Sequence, residues 1–160
     1  MEQALPVEEL ANQRLNVLVF AYSLFIKNLM EEGLDREKVK SASDKAWGTL
    51  GVQAGEQLKP LLADSDKIAA IQQAAAIAQS VHGIKTDIES TKTEVRTEFF
   101  KCPWQDALQA LGVPKEWRFC NSGHAAFTET MLKTINPDIS YELTKNMPTG
   151  DDVCEDISKL

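Results

Sequence analysis

The sequence from Ile84 to Phe100, IKTDIESTKTEVRTEFF, marks the point where the character of the chain changes. Apolar or β-branched residues alternate with other side chains here, which is the pattern of a half-buried β-strand. The pattern predicts two strands joined by a turn near Ser90-Thr91, without the Asn-Gly pair that would define the turn type. An antiparallel hairpin in the middle of the chain is therefore the first expectation for the fold.

The chain before this hairpin has helical periodicity. Apolar residues recur at three- and four-residue steps from Val7 to Glu31, which predicts a long first helix that ends at Gly33. Asp35 is a suitable N-cap for a second helix, whose end Gly48 and Gly51 leave undefined.

A third, alanine-rich helix is predicted from Asp66 to about Val81, with Asp64 or Ser65 as its cap. Gly55 and Pro60 interrupt the segment before it. The first 82 residues are therefore expected to be helical.

After the hairpin, short helices and strands alternate. Pro103 begins a short helix, Cys120 ends a helical turn, and a further helix is expected from Gly123 to Ile135. Alternating residues then predict two closing strands, at 139–145 and 153–157. Together these elements predict a single α+β domain over residues 1–160, with N-terminal helices packed on a small antiparallel sheet formed mainly by the C-terminal half.

The net charge of the chain indicates which classes of partner it can bind. The chain has 17 Lys and Arg against 24 Asp and Glu, for a net charge of −7, and its basic residues are not clustered. This argues against a nucleic-acid or anionic membrane partner. No run of 18 apolar residues is present, and the start Met1-Glu2-Gln3 is acidic where a secretory signal is basic. We therefore expect a cytoplasmic protein.

The three cysteines, Cys102, Cys120 and Cys154, are the main candidates for chemistry. An odd number at wide spacing indicates free thiols rather than a disulfide framework. Together with His124 they could provide a tetrahedral zinc site, although no C-x-x-C pair supports one. The alternative is that the cysteines are small buried hydrophobic residues.

A second interpretation is nucleophilic catalysis by a cysteine thiolate, with His124 as the base and an acid that orients it. Cys120 and His124 are four residues apart and would share a face if one helix carried both, but Cys120 is expected to precede the helix. Asp152, in the turn before Cys154, is the candidate acid. His82 is expected to interact with the end of the third helix rather than with a substrate.

Aromatic residues surround the cysteines in the sequence. They could line a small apolar ligand pocket or could simply form the core. These residues are Phe99, Phe100, Trp104, Trp117, Phe119 and Phe127.

The second half resembles a known family. The residues that carry this resemblance are Cys102-Pro103, Leu111-Gly112, Cys120, Asn136-Pro137 and the run Gly150-Asp151-Asp152-Val153-Cys154-Glu155. They resemble the L-2-amino-thiazoline-4-carboxylic acid hydrolase-like family over about residues 84–157. The resemblance implies hydrolytic opening of a thiazoline ring at its cyclic C=N bond, to a carbamoyl-cysteine product.

The cysteine arrangement is also similar to small-molecule-sensing domains related to 4-vinyl reductase, in which cysteines and an acid can hold zinc. That second resemblance implies a sensor that binds a small molecule or a metal without turnover. The expectation is thus a small hydrolase with Cys102, Cys120, His124, Asp152 and Cys154 at its site, and a sensor is the alternative. The first helix is also apolar enough to serve as a homodimer interface, although burial in the core would explain its apolar residues equally well.

Overall fold

The structure, a computed structural model, describes residues 6–160. The acidic start Met1-Glu2-Gln3 lies outside these residues. Within them the chain forms five α-helices and four β-strands. The helices are α1 (Val7–Glu31), α2 (Arg36–Leu58), α3 (Lys67–Val81), α4 (Pro103–Ala110) and α5 (Cys120–Ile135). The strands are β1 (Lys85–Ser90), β2 (Glu94–Lys101), β3 (Ser140–Lys145) and β4 (Cys154–Lys159).

The four strands form one antiparallel sheet in the order β1-β2-β4-β3. The hairpin β1-β2 turns at Thr91, whose hydroxyl accepts the backbone N–H of Glu94 at 3.1 Å. Strand β4 inserts between β2 and β3, and Phe99 pairs with Cys154 in the β2-β4 ladder. The predicted α+β architecture, with helices mostly N-terminal and the sheet in the C-terminal half, is confirmed.

Helix α1 begins and ends where the sequence predicts. Gly33 follows it with φ +71°, and the N–H of Leu34 donates to the carbonyl of Leu29, so the last carbonyls are satisfied. Asp35 then caps α2 by accepting the N–H of Lys38 at 2.9 Å. Within residues 6–160, no helix combines the length and the apolar character that crossing a bilayer requires.

Helix α2 runs through its glycines without a break, so the expectation that they interrupt it is wrong. Gly51 and Gly55 are buried against α5. A Cβ on Gly55 would lie 2.7 Å from the carbonyl oxygen of Met131, and one on Gly51 would overlap that of Phe127. The glycines are therefore where the two helices approach each other most closely, since only a residue without a side chain fits there.

Two other predicted helix boundaries are corrected. Asp66 caps α3, with its carboxylate accepting the N–H groups of Ile68 and Ala69, so the expected caps Asp64 and Ser65 are wrong. Helix α5 begins at Cys120 and not at Gly123. Cys120 and His124 consequently lie one turn apart on the same helix.

Three clusters of buried residues hold the helices and the sheet together. The first joins α3 and α5 to the sheet through residues such as Ile71, Met131 and Val95. The second contains Phe99 and Trp104, and all three cysteines pack against it. The cysteines therefore belong to the place where β2, β4, α4 and α5 meet.

Candidate functional site

A cavity lies where the ends of the central strands meet the first turns of α4 and α5. Its walls include Cys102, Cys120, Cys154 and His124, so it is called the three-thiol cavity below. The centre of a water molecule can occupy about 50 Å³ of it. That is room for roughly four waters, about the volume of a small single ring. The other lining residues are Trp47, His82, Ile84, Phe99, Trp104, Gln105, Asn121, Leu143, Met147 and Pro148.

Local structure explains why the three thiols converge. Cys102 occupies the N-cap position of α4, between the end of β2 and Pro103. Cys120 is the first residue of α5, and Cys154 is the first residue of β4. Because β4 pairs with β2, Cys154 lies beside Phe99, three residues before Cys102. All three cysteines are free thiols.

The three cysteines are half-buried, in surroundings that keep their thiols protonated. Burial raises the pKa of Cys102 to about 11, and the neighbouring Cys154 contributes in the same direction. Burial raises the pKa of Cys120 still further, and Cys102 and Cys154 add to that shift. The Sγ of Cys120 lies 3.7 Å from Oε1 of Gln105, to which it can donate. At neutral pH these groups are weakly polar walls rather than thiolates.

Cys154 links the cavity to a short loop. Its Sγ accepts the backbone N–H of Met147 at 3.4 Å, and burial raises the pKa of this thiol as well. Met147 and Pro148 belong to a 3₁₀ turn, Met147–Thr149, that covers one side of the cavity, and Gly150 ends this turn at φ +121°. The conformation at Gly150 favours glycine, which explains the residue before the acidic pair.

His124 is held by a buried carboxylate that the sequence interpretation did not single out. Its Nε2 lies 3.5 Å from Oδ2 of Asp156 and 3.2 Å from the hydroxyl of Thr128. The hydroxyl of Tyr141 donates to the same Oδ2 at 3.1 Å, and Asp156 is only 2% exposed. Burial and the negative charge of Asp156 together hold the pKa of Tyr141 well above its usual range. The imidazole thus has a fixed orientation on the cavity wall.

His82 forms the wall on the other side. Its ring lies edge-on to Trp47, Trp104 and Phe127, with centroids 5.7, 6.2 and 4.7 Å away. Burial, with a contribution from His124, lowers the pKa of His82 to about 4. His82 is therefore neutral at pH 7 and can offer a ligand one hydrogen-bond donor or acceptor. His82 is the C-cap residue of α3, at the helix end where the sequence places it, and it lines the cavity as well.

The predicted acid Asp152 lies elsewhere. It is exposed in the turn before β4 and is not among the residues that line the cavity. Its neighbour Asp151 accepts the backbone N–H of Asn146 and so braces the turn. Glu155 is paired with Lys145 at 2.9 Å and Arg96 at 3.6 Å. Hydrogen bonds from Thr144 and Lys145 lower the pKa of Glu155.

The aromatic residues divide between the cavity and the core. Phe99 and Trp104 line the cavity, and the ring of Phe99 lies 4.9 Å from that of His124. Phe119 is buried in a separate cluster, with Trp117 packed against it, and Phe100 is 53% exposed. Trp47 of α2 also contributes a wall. No local signal in the sequence connects Trp47 to residues 70 positions later.

Metal binding has no support in the described part of the chain. Over residues 6–160, no three or more His, Cys, Asp or Glu side chains are grouped so that they could hold a metal ion. Zinc ligation by Cys102, Cys120, His124 and Cys154 therefore stays a prediction. None of the lining residues is a lysine or arginine. What the site does provide is a fixed imidazole, a neutral imidazole and three protonated thiols around a small space.

A family model described as L-2-amino-thiazoline-4-carboxylic acid hydrolase matches residues 14–156. The match extends from α1 to β4 and so includes the helical half as well as the cysteine-bearing half. No curated protein matches the chain.

Two solved structures share the fold. One is a trafficking protein particle complex subunit 3 from Naegleria fowleri covalently bound to palmitic acid, with TM-score 0.65, 16% identity and coverage of 93% of this chain and 96% of that one. The other is the phenol-responsive sensory domain of the transcription activator PoxR with phenol. It has TM-score 0.62 and 12% identity, and it covers 88% of this chain and 73% of that one. At such low identity these likenesses show the fold alone.

Proposed function

The chain belongs to the L-2-amino-thiazoline-4-carboxylic acid hydrolase family, and from this premise we propose that it hydrolyses a cyclic C=N bond in a small substrate held in the three-thiol cavity. The observation that carries the proposal is the contact between His124 on the cavity wall and the buried Asp156 behind it, 3.5 Å apart. A histidine oriented by a carboxylate is a suitable general base for the attack of water. The volume of the cavity suits a single small ring.

The proposed reaction consumes one water. His124 takes one proton from the water as its oxygen bonds to the C=N carbon, and the π electrons pass to the ring nitrogen, which takes a proton from the solvent. The bond from that carbon to the ring sulfur then breaks as the added hydroxyl becomes a carbonyl and returns its proton to the solvent. The sulfur accepts the proton held by His124. The product is an open-chain urea with a free thiol. Asp156 stabilises the imidazolium that forms in between.

Water is favoured over a cysteine as the nucleophile. Burial raises the pKa of all three cavity thiols, so thiolate is scarce at neutral pH. His124 has its Nε2 engaged by Asp156 and Thr128, which leaves Nδ1 for a water or a substrate. In this proposal the thiols shape the cavity and do not form a covalent intermediate.

The absence of positive charge in the cavity lining limits the range of substrates that the cavity can bind. Because its lining contains neither lysine nor arginine, a carboxylate on the substrate would have no cationic partner there. His82 is neutral, so it also offers no positive charge. We therefore expect a thiazoline or related cyclic imine without a carboxylate inside the cavity, which differs from the substrate in the family description.

A direct test compares 2-amino-2-thiazoline with 2-amino-thiazoline-4-carboxylic acid. The purified protein is incubated with each compound, and mass spectrometry follows the addition of one water to the compound. Ring opening of the compound without a carboxylate, with little or none of the acid, is the expected result. Opening of neither compound, with or without binding, counts against the hydrolase proposal.

A second candidate function is reversible binding of a small ring without turnover. Its support is that the cavity has two tryptophan walls, no thiolate and a neutral histidine, together with the fold shared with a phenol-responsive sensory domain. The cavity holds roughly four waters, far less than a palmitoyl chain would fill, so a small ring is the better ligand class. Quenching of Trp47 and Trp104 fluorescence by phenol or 2-amino-2-thiazoline, without ring opening, would favour this function.

A further inference from the structure

An exposed apolar stripe runs along α1 on the side that faces away from the rest of the protein. Its large side chains are Leu10, Val17, Leu18, Leu24 and Phe25, with exposures of 37, 70, 58, 43 and 60%. The opposite side of the same helix supplies Val19 and Ile26, each 2% exposed, to the core. A helix with one buried apolar face and a second, exposed apolar face lacks a partner on the second.

Apart from Arg14, which lies on the same face between Leu10 and Val17, the stripe is continuous, unlike the other exposed apolar residues. Leu10, Val17 and Leu24 recur every seven residues, and Leu18 and Phe25 repeat one position later. At 100° per residue these positions span roughly 120° of the helix, with exposed Ala21 at the centre. By contrast, Leu61 and Val81 are exposed singly on other elements, which is ordinary for a protein surface.

We propose that this stripe is the interface of a homodimer, in which α1 of two copies packs antiparallel about a two-fold axis at Ala21. A two-fold axis at this residue brings each position i opposite position 42 − i of the other copy, as an isologous interface requires. Leu18 then faces Leu24, and Val17 faces Phe25. The small Ala21 side chains meet at the axis and allow the helices to approach closely.

The charges of α1 indicate that the stripe binds a second copy of the chain rather than a membrane surface. No charged residue occurs between Arg14 and Lys27, so two chains of net charge −7 can meet there without opposing like charges. At the ends of the stripe, Arg14 of one copy comes near Glu31 and Glu32 of the other. Glu8, Glu9, Glu31 and Glu32 make the ends of the helix acidic, whereas helices that bind anionic membranes are rich in lysine and arginine.

The size of the stripe predicts how tight the dimer is. Helix α1 has 25 residues and is about 37 Å long at 1.5 Å per residue. A flat face of that length and about 10 Å width covers roughly 370 Å² on each copy and roughly 740 Å² in total, less than the about 1,200–2,000 Å² that stable specific interfaces bury. We therefore expect dimers that dissociate on dilution.

The test is the mass of the full chain in solution, measured by sedimentation over a wide range of protein concentration. We expect the mass to rise from 17.7 kDa towards twice that value as concentration increases. Ala21→Glu sets two like charges at the axis and should weaken dimerisation at least tenfold. The matched control is Ala76→Glu, at an exposed position in the middle of α3, which should leave the association unchanged.

Opposite charges introduced at Ala21 distinguish dimerisation through the stripe from binding of the stripe to another partner. Mixing Ala21→Glu with Ala21→Lys should restore a dimer that neither variant forms alone, because the two positions face each other. A chain that stays monomeric at every concentration overturns the proposal. So does a monomer that binds vesicles of phosphatidylserine and phosphatidylcholine, or a dimer that Ala21→Glu leaves intact while circular dichroism shows a native fold.

Discussion

Asp156 Oδ2 lies 3.5 Å from His124 Nε2 and accepts the hydroxyl of Tyr141 at 3.1 Å, so one buried carboxylate orients both side chains. Asp156 belongs to the strand β4 and His124 to the helix α5. Their contact turns a histidine on the cavity wall into a fixed group with a countercharge.

The first prediction concerns the pair itself. His124→Gln should reduce hydrolysis of 2-amino-2-thiazoline by about 10²- to 10⁴-fold, the range that general acid–base catalysis contributes. Asp156→Asn should reduce it at least tenfold, because the imidazole loses the carboxylate that orients it and stabilises its protonated form during the reaction. Asp87→Asn, on an exposed position of β1, is the control that should leave the rate unchanged. Full activity in a folded Asp156→Asn variant would contradict the assigned role.

The second prediction concerns thiol reactivity. With the pKa of Cys102 at about 11, only roughly one thiol in ten thousand is ionised at pH 7, about a hundredfold less than for an ordinary cysteine. In the native protein all three cysteines should therefore react slowly with iodoacetamide. In guanidinium chloride all three should react at the rate of a free thiol. A cysteine that is alkylated rapidly in the native state would instead indicate a nucleophile.

The third prediction concerns acid stability. The pKa of His82 is about 4 in the folded protein and about 6.5 in an unfolded chain, so the unfolded chain binds more protons between these values. The neutral ring makes its full contribution to the free energy of unfolding above pH 6.5. As the pH falls from 6.5 to 4, this free energy decreases by about 3 kcal/mol. His82→Phe should flatten this part of the curve of unfolding free energy against pH. An equally steep curve in the variant would refute the assignment.

The fourth prediction uses two glycines of α2. Gly51→Ala should destabilise the protein by about 1–3 kcal/mol or more, because its methyl group overlaps the Phe127 carbonyl of α5. Gly48→Ala is the matched change one turn earlier, where the nearest atom is 3.7 Å from the new Cβ. It should stabilise by up to about 1 kcal/mol through helix propensity. Urea unfolding measures both, and equal effects would contradict the close approach at Gly51.

Much of the fold could be predicted from periodicity. The ends of α1 and the hairpin around Ser90-Thr91 follow from local patterns that tertiary packing does not override. The glycines of α2 misled the prediction because glycine is a helix breaker in isolation. At Gly51, glycine is instead required within the helix, because α5 packs too closely to leave room for a side chain. This contact is with Phe127, which lies 76 positions later in the sequence.

Less of the candidate site than of the fold could be predicted from the sequence. The three cysteines and His124 were found because their chemistry is distinctive, and the cavity does bring them together. The conspicuous turn before Cys154 singles out Asp152 in the sequence, whereas Asp156 is not among the candidate residues there. Strand alternation was the signal that could have corrected this, since Cys154 and Asp156 are two residues apart on β4 and so point to the same side of the sheet. His82 and Trp47 reach the cavity only through packing of the helical half.

The insertion of β4 between β2 and β3 has a consequence for the order of folding. Thr97 pairs with Asp156, so the central ladder joins residues 59 positions apart and must wait for α4, α5 and β3 to be made. Contacts of such long range are slow to form. During synthesis Cys102 and Cys120 would therefore leave the ribosome before Cys154 can enclose them. A newly made chain passes through a stage in which its thiols are more open to the solvent, and to oxidants, than they are in the folded protein.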